Sequence, residues 1–141
     1  MVECFRMRLG QIQPTQLYIS TEKLALVLRG FDSSPPGPLE PIPVKKLGGE
    51  TVMTDGHTRA FAAFLCGISE VDAYWDEDEL DWEAYESCVS WCKQEGIRPV
   101  GDLVGRVVGT KEYQAKWLDR CAEMHRQLDV KRAQGEPGKD G

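Results

Sequence analysis

Short apolar runs separated by turn residues mark the first half of the chain. Residues 16–20 form one such run and predict a strand, and the residues that follow predict a helix that continues to about Leu28. Gly30 is expected to end this helix. The segment from 31 to 41 is rich in proline, so we expect an extended loop there.

The next segment has the pattern of a β-hairpin that leads into a helix. Residues 42–47 and 50–54 are strand-like runs on either side of a Gly-Gly turn. From 56 to 65 the apolar residues recur at helical spacing, which predicts a helix that packs one face on a sheet. Residues 71–75 are predicted to return as a strand.

The character of the chain changes after residue 75, where acidic residues open a helical segment. A helix is predicted there because five side chains repeat at helical spacing: Trp82, Tyr85, Cys88, Val89 and Cys92. A short helix is expected over 100–108 and a longer one over 111–128. The remaining polar residues, 129–141, predict a disordered tail.

These elements together predict an α+β fold in three parts. Residues 1–75 would form a domain with a small mixed sheet and helices. Residues 76–128 would form a helical extension, and 129–141 the tail.

Composition narrows the class of protein. The net charge of −6 argues against a broad nucleic-acid-binding surface, so DNA is a disfavoured partner and any contact with it would be local. The sequence has no long apolar run and no signal-peptide pattern, which predicts a cytoplasmic protein without a membrane segment. Five cysteines, an odd number, fit a reducing compartment.

Residues 54–60, which we call the motif turn, concentrate the chemistry of the chain. A glycine turn before a helix presents free backbone N–H groups to an anion, and arginine can grip a phosphate. We therefore expect Gly56, His57, Thr58 and Arg59 to bind phosphate. The alternative is structural: Asp55 would cap the helix, Gly56 would supply a backbone angle, and Arg59 would pair with a carboxylate.

The order of motifs resembles the ParB/sulfiredoxin superfamily. The resemblance covers roughly residues 10 to 75 and rests on these segments: 17–19, 41–44, 52–63, Gly67 and the strand at 71. It implies that Gly56 and Arg59 take the phosphate positions shared by partition ParB proteins, which bind CTP, sulfiredoxins, which bind ATP, and free serine kinases, which bind ADP. Asp55 and His57 resemble the Asp-Gly-His-His-Arg version of the kinases, with Thr58 in place of the second histidine.

Departures from the family pattern limit what the resemblance implies. His57 stands where a sulfiredoxin has its cysteine, so sulfinic-acid reduction is not supported. No basic helix-turn-helix follows the motif, which also disfavours sequence-specific DNA binding. The kinases use an upstream glutamate as general base, and neither Glu22 nor Glu40 is identified with it. Asp55 and His57 are the candidate catalytic residues, His57 as a proton-transfer group or as a donor to phosphate, with a non-catalytic histidine as the alternative.

Two further clusters have metal-binding residue types. Cys88 with Cys92 and Cys121 with His125 are each four apart on predicted helices, a set that could hold zinc. The spacing lacks a zinc knuckle and coincides with an apolar stripe, so the sequence favours core packing over zinc. The acidic run 76–83 could hold Mg²⁺ for a nucleotide, although a solvated helix start is the favoured interpretation.

Three functional hypotheses follow from these residues. The first is a nucleotide-dependent phosphotransferase that uses ATP, ADP or CTP with Mg²⁺ and acts on a small molecule. The second is a non-catalytic nucleotide sensor or adaptor whose helical extension meets a protein partner. The third, a DNA-associated ParB-like protein, is the least favoured because the chain is acidic.

Overall fold

A computed structural model describes residues 3–31 and 39–139 of the chain. Its strands are β1 (Phe5–Arg8), β2 (Ile19–Ser20), β3 (Ile42–Leu47), β4 (Glu50–Met53), β5 (Glu70–Trp75) and β6 (Val107–Val108). Its helices are α1 (Thr21–Phe31), α2 (His57–Leu65), α3 (Trp82–Gln94), α4 (Thr110–Tyr113) and α5 (Asp119–Lys139). A 3₁₀ segment covers Val100–Arg106, and a π-helical segment over Gln114–Leu118 joins α4 to α5. The predicted α+β class is confirmed.

The main sheet has four strands in the order β1-β5-β3-β4 and is mixed. β3 pairs antiparallel with β4 across the predicted Gly48-Gly49 turn, and both glycines have positive φ angles. β5 lies parallel to β3 and antiparallel to β1. A second, two-stranded sheet pairs β2 with β6 in parallel, and this pairing was not predicted from the sequence.

The core lies between the main sheet and the helices. Its largest fully buried side chains come from both halves of the chain: Phe61, Ile12, Leu17, Ile19, Ile42, Met53, Ile97 and Leu103. α2 has the most deeply buried face of the described helices: Phe61 is only 1% exposed, and its neighbours Ala60, Ala62 and Ala63 are fully buried. The small alanines let the helix approach the sheet closely. One continuous core therefore joins residues on both sides of position 75, while the division into two domains stays a prediction.

Several predicted boundaries differ from the structure. α1 continues through Gly30 to Phe31, and only the last two residues of the predicted strand 16–20 are in β2. The predicted helix over 100–108 is a 3₁₀ segment followed by β6. The predicted loop over 31–41 falls mostly outside the described residues.

The last helix also differs from the prediction, because α5 continues past Leu128 to Lys139 where a disordered tail was expected. Arg132 explains part of this extension. Its guanidinium donates to both carboxylate oxygens of Asp81, at 2.7 and 3.1 Å, and to Glu83 at 3.1 Å. These contacts hold α5 against the start of α3. Among the described helices, none combines the length and apolar character that a bilayer span requires.

Candidate functional site

The motif turn connects the end of β4 to the start of α2. Thr54 fixes the strand end, since its backbone N–H donates to the Pro43 carbonyl at 3.1 Å and its hydroxyl donates to Asp76 at 2.7 Å. Asp55 then accepts a hydrogen bond from the N–H of Gly56 at 2.8 Å. Gly56 itself has φ 79°, a left-handed conformation that glycine adopts without steric cost.

Of the side chains that the structure describes, none caps the N-terminus of α2. The alternative role of Asp55 as a helix cap is not what the structure shows, because its carboxylate accepts from Gly56 and not from the first turn of the helix. Thr58 lies in that first turn and is partly exposed. Uncapped N–H groups at the positive end of a helix are suited to an anion.

Arg59 folds back over Gly56. A Cβ atom added at residue 56 would lie 2.7 Å from Nη2 of Arg59, so the guanidinium occupies the space that glycine leaves open. Nη1 donates to Oε2 of Glu40 at 2.7 Å. Nε of Arg59 is buried and has no hydrogen-bond partner within residues 3–31 and 39–139. An unpaired buried N–H is costly, and a ligand oxygen would satisfy it.

His57 points away from Arg59, into the protein. Its side chain is 5% exposed, and Nε2 accepts a hydrogen bond from the backbone N–H of Thr15 at 2.9 Å. Burial lowers the pKa of His57 from 6.5 to about 4, although the nearby Asp55 carboxylate opposes this effect. His57 is therefore neutral near pH 7. Because a backbone N–H can only donate, the ring proton is on Nδ1.

A cavity of about 300 Å³ lies beside His57, between the motif turn and the helices α3 and α5. Asp55 and His57 line it from one side, and the other side includes Tyr85, Cys88, Cys121 and His125. Tyr85 donates its hydroxyl hydrogen to the carbonyl of Thr54 at 3.0 Å. Burial, and then the carboxylates of Asp55 and Asp76, raise the pKa of Tyr85. The phenol thus stays protonated and connects α3 to the motif turn.

The structure places the predicted site residues on two surfaces. His57 and Arg59 are two residues apart on α2, which turns their side chains to roughly opposite sides of the helix. Asp55 and His57 face the cavity, whereas Arg59 lies over Gly56 and contacts Glu40. The neutral state of His57 and its bond to Thr15 favour a positioning role over the predicted proton transfer.

The two upstream glutamates have separate environments. Glu40 contacts Arg59, although it lies nineteen positions away in the sequence. Glu22 instead accepts a hydrogen bond from the hydroxyl of Thr110 at 2.9 Å. Sequence reasoning did not identify Glu40 as part of the site, nor Thr15 as the partner of His57. The sequence offered one signal for Glu40: it is an acidic residue just before β3, the first strand of the hairpin that leads into the motif turn.

The cysteines and His125 do not form one four-ligand cluster. Cys88 and Cys121 both line the cavity, Cys88 from α3 and Cys121 from α5. Cys92 instead donates to the Gln16 carbonyl at 3.6 Å, and Nδ1 of His125 lies 4.0 Å from Asp81. In the part of the chain that the structure describes, no group of three or more His, Cys, Asp or Glu side chains is arranged to hold a metal ion.

The acidic run 76–83 is engaged in local contacts. Asp76 accepts from the Thr54 hydroxyl and from the N–H of Asp78. Asp81 caps α3 by accepting from the N–H of Ala84 at 3.3 Å. The hydrogen bond from Arg132 is the largest of the effects that lower the pKa of Asp81. Asp81 thus serves the start of α3, the structural role that the sequence favoured, while Asp76 holds the end of β4 through Thr54.

Comparison with known proteins adds little to this geometry. No family model matches the chain, and no curated protein matches it. Among solved structures, the chain is similar to the crystal structure of protein Atu1540 from Agrobacterium tumefaciens, with a TM-score of 0.46 and 14% identity. The similarity covers 70% of this chain and 50% of that one, so the chain spans about half the length of that protein. A likeness at this level assigns neither a family nor a function.

Proposed function

We propose that this chain binds the phosphate groups of a nucleotide, or of another phosphorylated small molecule, at Gly56, Thr58 and Arg59. The observation that supports this most directly is the start of α2, where the described part of the chain provides neither a side-chain cap nor a hydrogen-bond partner for the buried Nε of Arg59. A phosphate oxygen would accept from that Nε and from the first backbone N–H groups of α2. The same proposal includes a ParB/sulfiredoxin-like fold, because the motifs resemble those of that superfamily.

Glu40 sets the state of this site before the ligand binds. Its carboxylate holds Nη1 of Arg59, and its own side chain is 78% exposed, so it can move away at little cost. A phosphate that enters would compete with Glu40 for Arg59. The same carboxylate would remain close to the transferred group, which makes Glu40 the candidate for the general base of a phosphotransferase.

His57 has a secondary role in this proposal. Its neutral ring keeps Nδ1–H as a donor and is too weak a base to accept a proton near pH 7. His57 therefore positions the start of α2 through Thr15 and can donate to a ligand in the cavity. Asp55 provides a carboxylate on the motif-turn wall of that cavity and would supply one oxygen ligand to Mg²⁺ bound with the nucleotide.

The test is thermal unfolding with ATP, ADP, CTP, GTP and inorganic phosphate, each with and without Mg²⁺. A ligand at a hundredfold its Kd stabilises the folded state by about 2.7 kcal/mol. For a chain of this length that is a rise in Tm of roughly 6 to 10 °C. We expect the rise for the wild type and its loss for Arg59→Ala. Arg6→Ala is the matched control, because Arg6 forms an exposed ion pair with Asp72 on the far strands. An unchanged ligand shift in Arg59→Ala would refute the proposal.

Glu40→Gln separates binding from catalysis. Without the competing charge, nucleotide should bind at least as tightly as to the wild type. If the chain is a phosphotransferase, the variant should lose turnover with small hydroxyl compounds. Loss of nucleotide binding in Glu40→Gln would contradict the role given to this residue.

A non-catalytic sensor is the second candidate, and one contact supports it. Tyr85 of α3 donates to the carbonyl of Thr54, the first residue of the motif turn, so α3 is coupled to the place where the ligand would bind. A nucleotide that binds without turnover, yet changes the proteolysis of α3 and α5, would favour the sensor. Turnover of any nucleotide would favour the enzyme.

A further inference from the structure

α3 and α5 lie side by side in antiparallel fashion beyond the motif turn. Two contacts fix their alignment. Near the C-terminal end of α3, Trp91 meets Trp117 edge to face, with ring centroids 6.2 Å apart. Near its N-terminal end, Glu83 pairs with Lys131 at 3.3 Å and with Arg132 at 3.0 Å. Trp117, in the π-helical segment that leads into α5, therefore lies beside the end of α3, and the later part of α5 lies beside the start of α3, so the two helices run in opposite directions.

Cys88 and Cys121 lie between these two contacts, one on each helix. Both side chains line the same cavity beside His57, and each thiol is the neighbour that shifts the pKa of the other most. Cys88 is 8% exposed, whereas Cys121 is only partly buried. A small molecule that enters the cavity can therefore reach the sulfur of Cys121.

The environment makes the two thiols unequal. The neighbouring Cys88 thiol lowers the pKa of Cys121, and the Arg120 guanidinium lowers it further, while burial opposes both. The neighbouring Cys121 thiol, together with burial, raises the pKa of Cys88. Cys121 is the better nucleophile of the pair, because the thiolate is the reactive form.

We propose that Cys88 and Cys121 form a thiol pair that low-molecular-weight disulfides oxidise to an intramolecular disulfide in the α3–α5 wall of the cavity. The Cys121 thiolate attacks one sulfur of a disulfide R–S–S–R, forms a mixed disulfide and releases one thiolate R–S⁻. Cys88 then loses its proton to solvent, and its sulfur attacks the Cys121 sulfur and releases the second thiolate. The protein loses two hydrogen atoms in total, and R–S–S–R is reduced to two thiols R–SH.

The disulfide would link α3 to α5 at the wall that faces Asp55 and His57. Oxidation would thus fix the spacing of the two helices around the cavity. The thiol pair shares the cavity with Asp55 and His57 but is separate from Arg59 and Glu40, which lie on the other side of α2.

The test uses the full-length chain with the two exposed cysteines replaced, Cys4→Ser and Cys66→Ser. The reduced protein is treated with oxidised glutathione, remaining thiols are alkylated, and the products are mapped by peptide mass. We expect the loss of two hydrogens without a glutathione adduct, and a link between the peptides that contain Cys88 and Cys121. Dithiothreitol should reverse the link.

Two variants check the order of the steps. Cys88→Ser should retain glutathione on Cys121. Cys92→Ser is the matched control on the same helix and should form the same link as the parent, because Cys92 is fully buried and bonded to Gln16. A link that includes Cys92, a stable adduct on Cys121 while Cys88 is present, or full alkylation of both thiols would overturn the proposal. If Cys88→Ser does not fold, the peptide maps of the parent and of Cys92→Ser decide the question.

Discussion

Replacing His57 with glutamine should remove a pH-dependent part of the stability of this chain. His57 is neutral in the folded state, with a pKa of about 4 against an ordinary 6.5. Between these two values the unfolded chain binds a proton that the folded chain does not, so stability is complete above pH 6.5 and falls as the pH is lowered. From about pH 7.5 to about pH 5, this single group accounts for a loss of about 2 kcal/mol.

Glutamine offers an oxygen to the N–H of Thr15 but does not titrate, so His57→Gln should lack this part of the pH dependence. Urea unfolding at the two pH values gives the free energy of unfolding of each protein. The wild type should lose about 2 kcal/mol more than His57→Gln over this range. His125→Gln is the control, because His125 is exposed, and it should follow the wild type. The reasoning is refuted if wild type and His57→Gln lose the same free energy. If His57→Gln does not fold, the wild type can be titrated by NMR instead, and a His57 side chain that is charged at about pH 5.5 would also refute the reasoning.

Two further predictions concern the turn and the last helix. Gly56→Ala should destabilise the fold by about 1–2 kcal/mol, because residue 56 has a positive φ, and it should also displace Arg59 and weaken ligand binding. Gly96→Ala is the control, because Gly96 also has a positive φ, 78°, but has open space around it. In the same urea and binding assays, the control should show only the loss of stability. Arg132→Met should lower Tm and increase proteolysis of α5, with a smaller effect at high salt. A matched Arg126→Met change should leave α5 as resistant as in the wild type, because the ion pair of Arg126 among the described residues is with Glu123 of its own helix. Equal proteolysis of the two variants would contradict the role given to Arg132.

Local sequence patterns were sufficient to predict the motif turn and the elements around it. The hairpin of β3 and β4, the helix α2 and the strand β5 each combine a clear periodicity with a glycine at the turn, and all are present in the structure. β2 and β6 were different, since strands of two residues have no period to detect. Their pairing joins Ile19 to Val107, positions that only the tertiary fold brings together.

The candidate site shows the same division between local and distant information. Gly56 and Arg59 could be selected from the sequence because a glycine turn and an arginine at a helix start are local features. The hydrogen-bond partners of the site side chains are distant in the sequence: Arg59 donates to Glu40, and His57 accepts from Thr15. The helical state of residues 129–139 likewise depends on Arg132 meeting Asp81, a contact that polar composition does not reveal.

Backbone amide NMR of the isotopically labelled protein, titrated with the nucleotide that raises Tm most, tests the central claim most directly. If phosphate binds at the start of α2, the largest shifts should fall on the N–H groups of residues 57–59, and inorganic phosphate should shift the same amides more weakly. Arg59→Ala should abolish these shifts. Shifts that avoid residues 56–59, or that persist unchanged in Arg59→Ala, would contradict the proposed function.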